Sequence, residues 1–162
     1  MYWDSYELRF HHPAEHQLNN TQYAMEMQIF SNDPYKNKLL CTAGIAAISI
    51  LFELDDASNN PWFDWQANAT AGLPVTVDLN SILSKVGGTT NSVSGYSGSD
   101  TMPDCGKVCW YIVNQPQQIN STQLNFFMYS GVPYTIKNPN QYNANTILMY
   151  NNGIFATPNI QP

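Results

Sequence analysis

Two short segments near the start of the chain carry the side chains best suited to chemistry. In the first, Arg9 and His11 stand two positions apart, and in the second Glu26 and Gln28 have the same spacing. Side chains two apart on a β-strand point to the same face, so each segment would present one polar face. If the two strands pair, the four side chains form one polar cluster.

The same stretch resembles the α-type carbonic anhydrases. Plant and bacterial members carry His-x-His-x-Pro-Ser-Glu-His, then a short turn, then Glu-Leu-His. Residues 9–16 and 26–28 fit this pattern without a gap, and residues 96–105 are similar to the family's Tyr-x-Gly-Ser-Leu-Thr-Thr-Pro-Pro-Cys. The resemblance implies that positions 9, 11 and 28 correspond to the three histidines that hold a catalytic zinc.

Two of those three positions are occupied by other residue types. Arg9 stands at the first ligand position and Gln28 at the third, and only His11 is kept. Arginine carries donors only and stays charged, and an amide oxygen is a poor zinc ligand. Catalytic zinc needs three protein ligands and a water. We therefore expect no metal at these positions and no catalysis. The vertebrate carbonic anhydrase-related proteins, which lack activity, show the same kind of replacement.

Four more residues take roles from the resemblance. Thr101 and Glu15 match a pair in which the threonine hydroxyl donates to the glutamate and orients the zinc-bound hydroxide, and without zinc they are vestigial. Glu26 matches the carboxylate that orients the third histidine. His16 matches a histidine that hydrogen-bonds within the core.

The loss of zinc raises the question of what Arg9 does. We hypothesise that its guanidinium occupies the zinc volume, held by Glu15 or Glu26 and by Gln28, because an unpaired buried cation is costly. The alternative is that Arg9 binds an anion such as bicarbonate.

The predicted pocket wall also departs from the family. Asp100 places a charge where the family has leucine, and Met102 is expected to fill the space where carbon dioxide and inhibitors sit. A new metal site at His11, His12 and His16 is not expected, because adjacent residues on a strand point to opposite faces.

The pattern predicts a mainly β protein of the α+β class. We expect a twisted, mostly antiparallel central sheet of the α-carbonic anhydrase type, with a few short helices and its N-terminal part missing. Strands are predicted at residues 2–12, 22–31 and 39–53, with a hairpin-like turn at Asn19-Asn20; a helix is the competing interpretation of 39–53. Helices are predicted at residues 62–71 and after a cap at Asp78 or Asn80, and a surface loop at 87–99.

Composition limits the classes of partner. Charged residues make up 11% of the chain, the formal net charge is −6, and no basic cluster is present, so neither nucleic acid nor an anionic membrane is expected. The most apolar run, residues 39–52, is shorter than the ~20 residues that span a bilayer. The many Asn, Gln, Ser, Thr and Tyr residues suit a secreted or glycosylated protein, or one buried in a larger assembly.

Cysteines and glycosylation sequons bear on the compartment. In extracellular relatives the cysteine that matches Cys105 forms a disulfide, so Cys105 is a candidate; the other interpretation is three buried free thiols. Sequons make Asn19, Asn68 and Asn120 candidate glycosylation sites. We expect an extracellular or secretory-pathway protein, although no signal peptide is visible.

The resemblance implies a single carbonic anhydrase-like domain over residues 1–162, corresponding to the last two-thirds of the family domain. The unpaired backbone groups of an exposed sheet edge readily pair with another chain. The expected partners are therefore other protein subunits or a chain that completes the N-terminal part of the sheet. The function we expect is that of a catalytically inactive structural or protein-binding module within an oligomer or larger assembly, without a cofactor. The alternatives are an active zinc-dependent carbonic anhydrase that hydrates carbon dioxide with a metal rebuilt on other ligands, and a fragment that never folds.

Overall fold

The computed structural model describes residues 4–32, 44–86, 93–129, 148–151 and 154–156. The strands are β1 (Asp4–His11), β2 (Gln17–Leu18), β3 (Thr21–Gln22), β4 (Met25–Asn32), β5 (Ile45–Leu54), β6 (Val93–Ser99), β7 (Lys107–Val113), β8 (Gln117–Ile119), β9 (Leu148–Asn151) and β10 (Ile154–Ala156). The helices are a 3-10 turn (Pro61–Phe63), α1 (Trp65–Thr70), α2 (Leu79–Val86) and α3 (Ser121–Tyr129).

Eight of these strands form one sheet in the order β1-β4-β5-β7-β6-β9-β10, with β8 beside β5. The pairs of β5 with β7 and with β8 are parallel, and the other pairs are antiparallel. A mainly β fold with a mostly antiparallel sheet and a few short helices is therefore confirmed.

The first two long strands form where the alternation of side chains predicted them. β2 and β3 make a small hairpin between them, and its turn residues Asn19 and Asn20 have φ of 51° and 61°. Asparagine tolerates this left-handed conformation better than most residues, which explains the Asn-Asn pair at the turn. β5 confirms a strand within the apolar run, and residues 39–43 of that prediction lie outside the described residues.

The sheet is covered on both faces by apolar side chains. One face carries alternate residues of β4 and β5, among them Met27 and Ile50, and packs against Trp62, Phe63 and α3. The other carries a smaller cluster that includes Trp110. Of the two candidate caps for the second helix, Asp78 is the one that forms, since its side chain accepts from the backbone N–H of Asn80 at 2.9 Å.

The prediction of a surface loop at residues 87–99 is wrong for its described part. Residues 93–99 form β6, which pairs with β7 on one side and β9 on the other. Gly98 lies in this strand where space is short: a Cβ on it would lie 2.6 Å from the Tyr96 ring and 3.0 Å from the Trp110 ring. Packing against aromatic rings therefore outweighed the loop-like composition.

Candidate functional site

The register of β1 against β4 brings the predicted polar cluster together. Arg9 stands opposite Gln28, and His11 stands opposite Glu26. Opposite residues of an antiparallel pair lie on the same face, so all four side chains share one side of the sheet. His11, Glu26 and Gln28 are buried, and the Arg9 side chain is 14% exposed.

Two carboxylates hold Arg9. Its Nε and Nη2 donate to Glu7 at 2.7 and 2.9 Å, and its Nη1 donates to Asp100 at 2.6 Å. Its guanidinium carbon lies 4.0 Å from the centre of the Phe30 ring, a cation–π contact. Hydrogen bonding to Glu7, and then to Asp100, raises the pKa of Arg9. The guanidinium is thus a fixed and permanent cation.

The hypothesis that Arg9 is held by Glu15 or Glu26 and by Gln28 is wrong. Glu7 lies two residues earlier on the same strand, so it reaches the guanidinium as a bidentate partner without leaving its own face. Glu26 and Glu15 are already engaged by other donors, as described below.

The two residues predicted to alter the pocket wall are Asp100 and Met102, which lie close together after β6. Partial burial alone would raise the pKa of Asp100, but hydrogen bonds from Arg9 and from the backbone of Met102 lower it, so its charge is matched by the guanidinium. Met102 is 38% exposed and lies in the turn between β6 and β7. That it fills the space for carbon dioxide stays a prediction.

Glu26 is the centre of a buried hydrogen-bond network. It accepts from the backbone N–H groups of Glu15 and His16 at 2.9 and 2.8 Å, from Gln28 Nε2 at 2.9 Å and from Ser49 Oγ at 2.8 Å. Complete burial would raise the pKa of Glu26, but the charge and hydrogen bonds of His16, together with the Gln28 bond, lower it to about 2. The carboxylate is therefore ionised inside the protein.

His16 extends this network into the sheet. Its Nδ1–H donates to Glu26 at 2.5 Å, and its Nε2 lies 2.6 Å from the Tyr96 hydroxyl. Burial, followed by the charges of Glu26 and Glu15, raises the pKa of Tyr96, so the phenol stays protonated. His16 is fully buried against Trp110, which places it in the core.

A second group of polar atoms in the same region is left unpaired. Glu15 stands between His11 and Gln28: its Oε1 lies 3.2 Å from His11 Nδ1, without hydrogen-bond geometry, and its Oε2 accepts from Gln28 Nε2 at 3.2 Å. Within the described residues, His11 Nε2, Glu15 Oε1, Gln28 Oε1 and Thr101 Oγ1 are buried and have no hydrogen-bond partner. The Thr101–Glu15 bond that the resemblance implied is not formed.

The remaining histidine, His12, follows β1. Its Nδ1 lies 2.5 Å from the carbonyl oxygen of Ala24. The described residues contain no group of three His, Cys, Asp or Glu side chains arranged to hold a metal. They also contain no helix that is long and apolar enough to cross a membrane.

The cysteine prediction needs correction. Cys105 is an exposed free thiol in the turn between β6 and β7, where φ is 56°, whereas Cys109 in the buried strand β7 is disulfide-bonded. Both the candidate Cys105 disulfide and the interpretation of three buried free thiols are therefore wrong.

The three sequons differ in their surroundings. Asn19 and Asn68 are exposed, one at a hairpin turn and one on α1. Asn120 is half-buried, and its side chain caps α3 by accepting from Gln123 N at 2.9 Å and donates to Ser58 O at 3.0 Å.

Sequence reasoning missed three members of the site. Glu7 could have been found, since it alternates with Arg9 and His11 on one strand. Ser49 also left a signal, as a polar residue within an apolar run. Tyr96 left only its place at the start of the motif over residues 96–105, and its bond to His16 joins residues 80 positions apart.

A family model matches residues 1–146, and its description is eukaryotic-type carbonic anhydrase. A curated relative, carbonic anhydrase from Klebsiella pneumoniae, is 28% identical over 130 residues, which cover 76% of this chain and 48% of the relative. The chain thus spans about half the length of that relative.

Solved structures share the fold. The α-carbonic anhydrase of Aspergillus oryzae superimposes with a TM-score of 0.63 at 21% identity, over 86% of this chain and 61% of that chain. Carbonic anhydrase Cah3 of Chlamydomonas reinhardtii, solved in complex with acetazolamide, gives 0.65 at 24% identity, over 91% and 65%. A halotolerant carbonic anhydrase of Dunaliella salina gives 0.66 at 17% identity, over 91% and 60%.

Proposed function

The chain belongs to the eukaryotic-type carbonic anhydrase family, and from this premise we propose that it is a catalytically inactive member that serves as a structural or protein-binding module. The observation that carries the proposal is the state of Arg9. At the position matched to the first zinc ligand, its guanidinium is locked between Glu7 and Asp100.

The donor set around His11 does not fit a catalytic zinc. Zinc would supply a hydroxide at neutral pH, and it would need three protein ligands to do so. His11 offers one imidazole nitrogen and Gln28 a neutral amide oxygen, whereas Arg9 has no lone pair to give. A permanent cation beside the site adds repulsion of any divalent ion.

The binding role is supported by the edge of the sheet. β1 stands at one end of the strand order, so its outer backbone groups have no partner strand among the described residues. Tyr6, on this strand, is 52% exposed. Such an edge is a template for pairing with another segment, and we propose that a protein subunit covers it within an oligomer or larger assembly. In line with the composition, we place the protein in the secretory pathway or outside the cell, with Asn19 and Asn68 as its glycosylation sites.

The alternative is an active zinc-dependent carbonic anhydrase. It is favoured by His11, Glu15, Glu26 and Thr101, which keep the residue types that the resemblance requires, and by the name of the Klebsiella relative.

Metal analysis and carbon dioxide hydration separate the two functions. We expect the purified full chain, dialysed after incubation with zinc, to retain substoichiometric metal and to show no acetazolamide-sensitive hydration. One zinc per chain together with sensitive hydration would establish the enzyme. Light scattering and hydrogen exchange of β1, in the presence and absence of copurifying subunits, test the binding role.

A further inference from the structure

A cleft of about 590 Å³ lies between α1 and α3, apart from the polar cluster of β1 and β4. Its volume falls within the range of roughly 300–1,000 Å³ that is typical of ligand sites. The residues that line it include Asn59, Phe63, Asp64, Gln66, Thr122 and Phe126. None of its described lining residues belongs to β1 or to the group around His11, so binding here does not depend on zinc.

Gln66 brings an unpaired acceptor to this cleft. The side chain is only 9% exposed, and its one hydrogen bond among the described residues runs from Nε2 to Gln123 O at 3.0 Å. Its Oε1 therefore has no partner there. This oxygen is not one of the fully enclosed unpaired atoms, so it is reached from the side on which Gln66 lines the cleft. A buried amide oxygen left in this state favours a ligand that donates.

Asp64 supplies a second acceptor, which is charged. It lies just before α1, makes no side-chain cap hydrogen bond with the helix, and is exposed at the rim of the cleft. No Lys or Arg is found among the described residues that line the cleft. The negative charge is therefore uncompensated, and it favours a positively charged ligand.

The beginning of α3 also lies at this cleft, and the N–H groups of a helix start attract anions. Two of those groups are already occupied. Asp56 accepts from Ser121 N at 2.7 Å, and Asn120 Oδ1 accepts from Gln123 N at 2.9 Å. Because Asp56 adds another negative charge, an anion would be repelled here.

The apolar part of the lining selects among cations. Phe63 is buried, whereas Phe126 is half-buried and makes an edge contact with Trp65, with 5.6 Å between ring centroids. A small inorganic cation would leave this surface unused. The guanidinium of arginine is flat, stacks on aromatic rings, carries several N–H donors and sits on an apolar stem.

We infer that the cleft between α1 and α3 binds an arginine side chain of a partner protein. The stem of that side chain packs against Phe126, and its guanidinium donates to the Asp64 carboxylate and to Gln66 Oε1. The inference extends the proposed binding role to a second surface, away from the edge of β1, and names the chemistry of the partner.

The test is a calorimetric titration of the full chain with the acetylated and amidated tripeptide leucyl-arginyl-leucine. The same peptide with citrulline is the matched control, because citrulline keeps the shape of arginine without its charge. A third peptide carries glutamate at the middle position. We expect saturable binding of the arginine peptide, about fivefold weaker binding of the citrulline peptide, and no binding of the glutamate peptide.

Two substitutions locate the site. Asp64→Asn should lower the affinity for the arginine peptide about fivefold, the size of one exposed ion pair, and remove its advantage over the citrulline peptide. Ala67→Phe adds a ring to another lining residue and should abolish binding, while a cooperative melt shows that the variant is folded. Asp104→Asn, which changes an exposed acid in the turn after β6, should bind like the wild type.

Equal affinities for the arginine and citrulline peptides would overturn the inference, and so would the absence of binding by either. Full binding by Asp64→Asn or by Ala67→Phe would place the peptide elsewhere and overturn it too. Saturable binding of methyl glucoside, without any preference for the arginine peptide, would assign the cleft to a neutral sugar instead. Each of these results leaves the proposed inactivity standing, because metal analysis tests that separately.

Discussion

Arg9 Nη1 lies 2.6 Å from Asp100 Oδ1, and this contact ties the first strand of the sheet to the turn that carries Thr101. Three strands separate β1 from β6 in the sheet order, so the turn after β6 must fold back over the sheet face to make it. Arg9, at the position that the resemblance matches to the first zinc ligand, thereby links β1 to the turn that carries Asp100 and Thr101.

Removing this ion pair should loosen that link and lower stability. Asp100→Ala leaves Arg9 with Glu7 alone and removes the cap on the Met102 N–H. We expect a loss of about 1–3 kcal/mol in the free energy of unfolding, the usual range for charged and partly buried hydrogen bonds. Urea unfolding measures it. Asp104→Ala, an exposed acid in the same turn, is the control and should cost less than about 0.5 kcal/mol. Equal effects of the two substitutions would contradict a structural role for the pair.

Two substitutions should rebuild a zinc site. In Arg9→His/Gln28→His, three imidazoles face the place that the resemblance assigns to zinc, which is the ligand number of a catalytic site. We expect the double variant to bind one zinc per chain, measured by elemental analysis after dialysis. Each single variant should retain far less, and His11→Ala in the double background should abolish binding. A wild-type chain that binds zinc as well as the double variant would refute the proposed inactivity.

Glu26 makes the fold sensitive to acid. Its pKa is about 2 in the folded protein, below the ordinary value of 4.5, so the unfolded chain binds the proton more tightly. Stability from this group is therefore fully present above about pH 5 and is lost as the pH falls toward about 2. The shift corresponds to a loss on the order of 3 kcal/mol.

Urea unfolding between about pH 6 and 3 checks this dependence. Glu26→Gln should be less stable than the wild type near neutral pH, and its stability should fall less steeply as the medium becomes acid. Asp78→Asn, which changes an exposed carboxylate at a helix cap, should keep the wild-type slope. Parallel pH profiles for Glu26→Gln and the wild type would contradict the assignment.

The fold could be predicted from the sequence wherever the periodicity of apolar side chains and the residue types at the turns indicated the same structure. β1, β4 and β5 follow from alternation or apolar runs, and Asp78 marks the start of α2. β6 was missed because glycine and serine suggest a loop unless the neighbouring aromatic rings are known. The composition of a segment indicates only its local backbone preference. The glycine at position 98 is explained instead by its close approach to Trp110 on the next strand.

The sequence predicted the site only as a set of residues on one face of the sheet. Strand spacing placed Arg9, His11, Glu26 and Gln28 together, but it did not determine the partners of Arg9. That choice depended on Asp100, 91 positions away, and on the saturation of Glu26 by other donors. Long-range pairing of this kind leaves no periodic signal.

The close packing at Gly98 gives a prediction that links the sheet to the buried network. In Gly98→Ala the new Cβ would stand 2.6 Å from the Tyr96 ring and 3.0 Å from the Trp110 ring. Tyr96 must then move, and its hydroxyl lies 2.6 Å from His16 Nε2. We expect a loss of about 1–3 kcal/mol in the free energy of unfolding, typical of overpacking, with a changed near-ultraviolet dichroism signal from Trp110.

Gly106→Ala is the matched control, because a methyl group at that position would meet no atom within 4 Å and the substitution should be close to neutral. A second comparison separates overpacking from loss of the hydrogen bond. Tyr96→Phe removes the hydroxyl without adding volume, so it should lower stability while leaving the Trp110 signal intact. If Gly98→Ala were as stable as Gly106→Ala, β6 would have space for a methyl group at residue 98. That result would contradict the close packing of Gly98 against Tyr96 and Trp110.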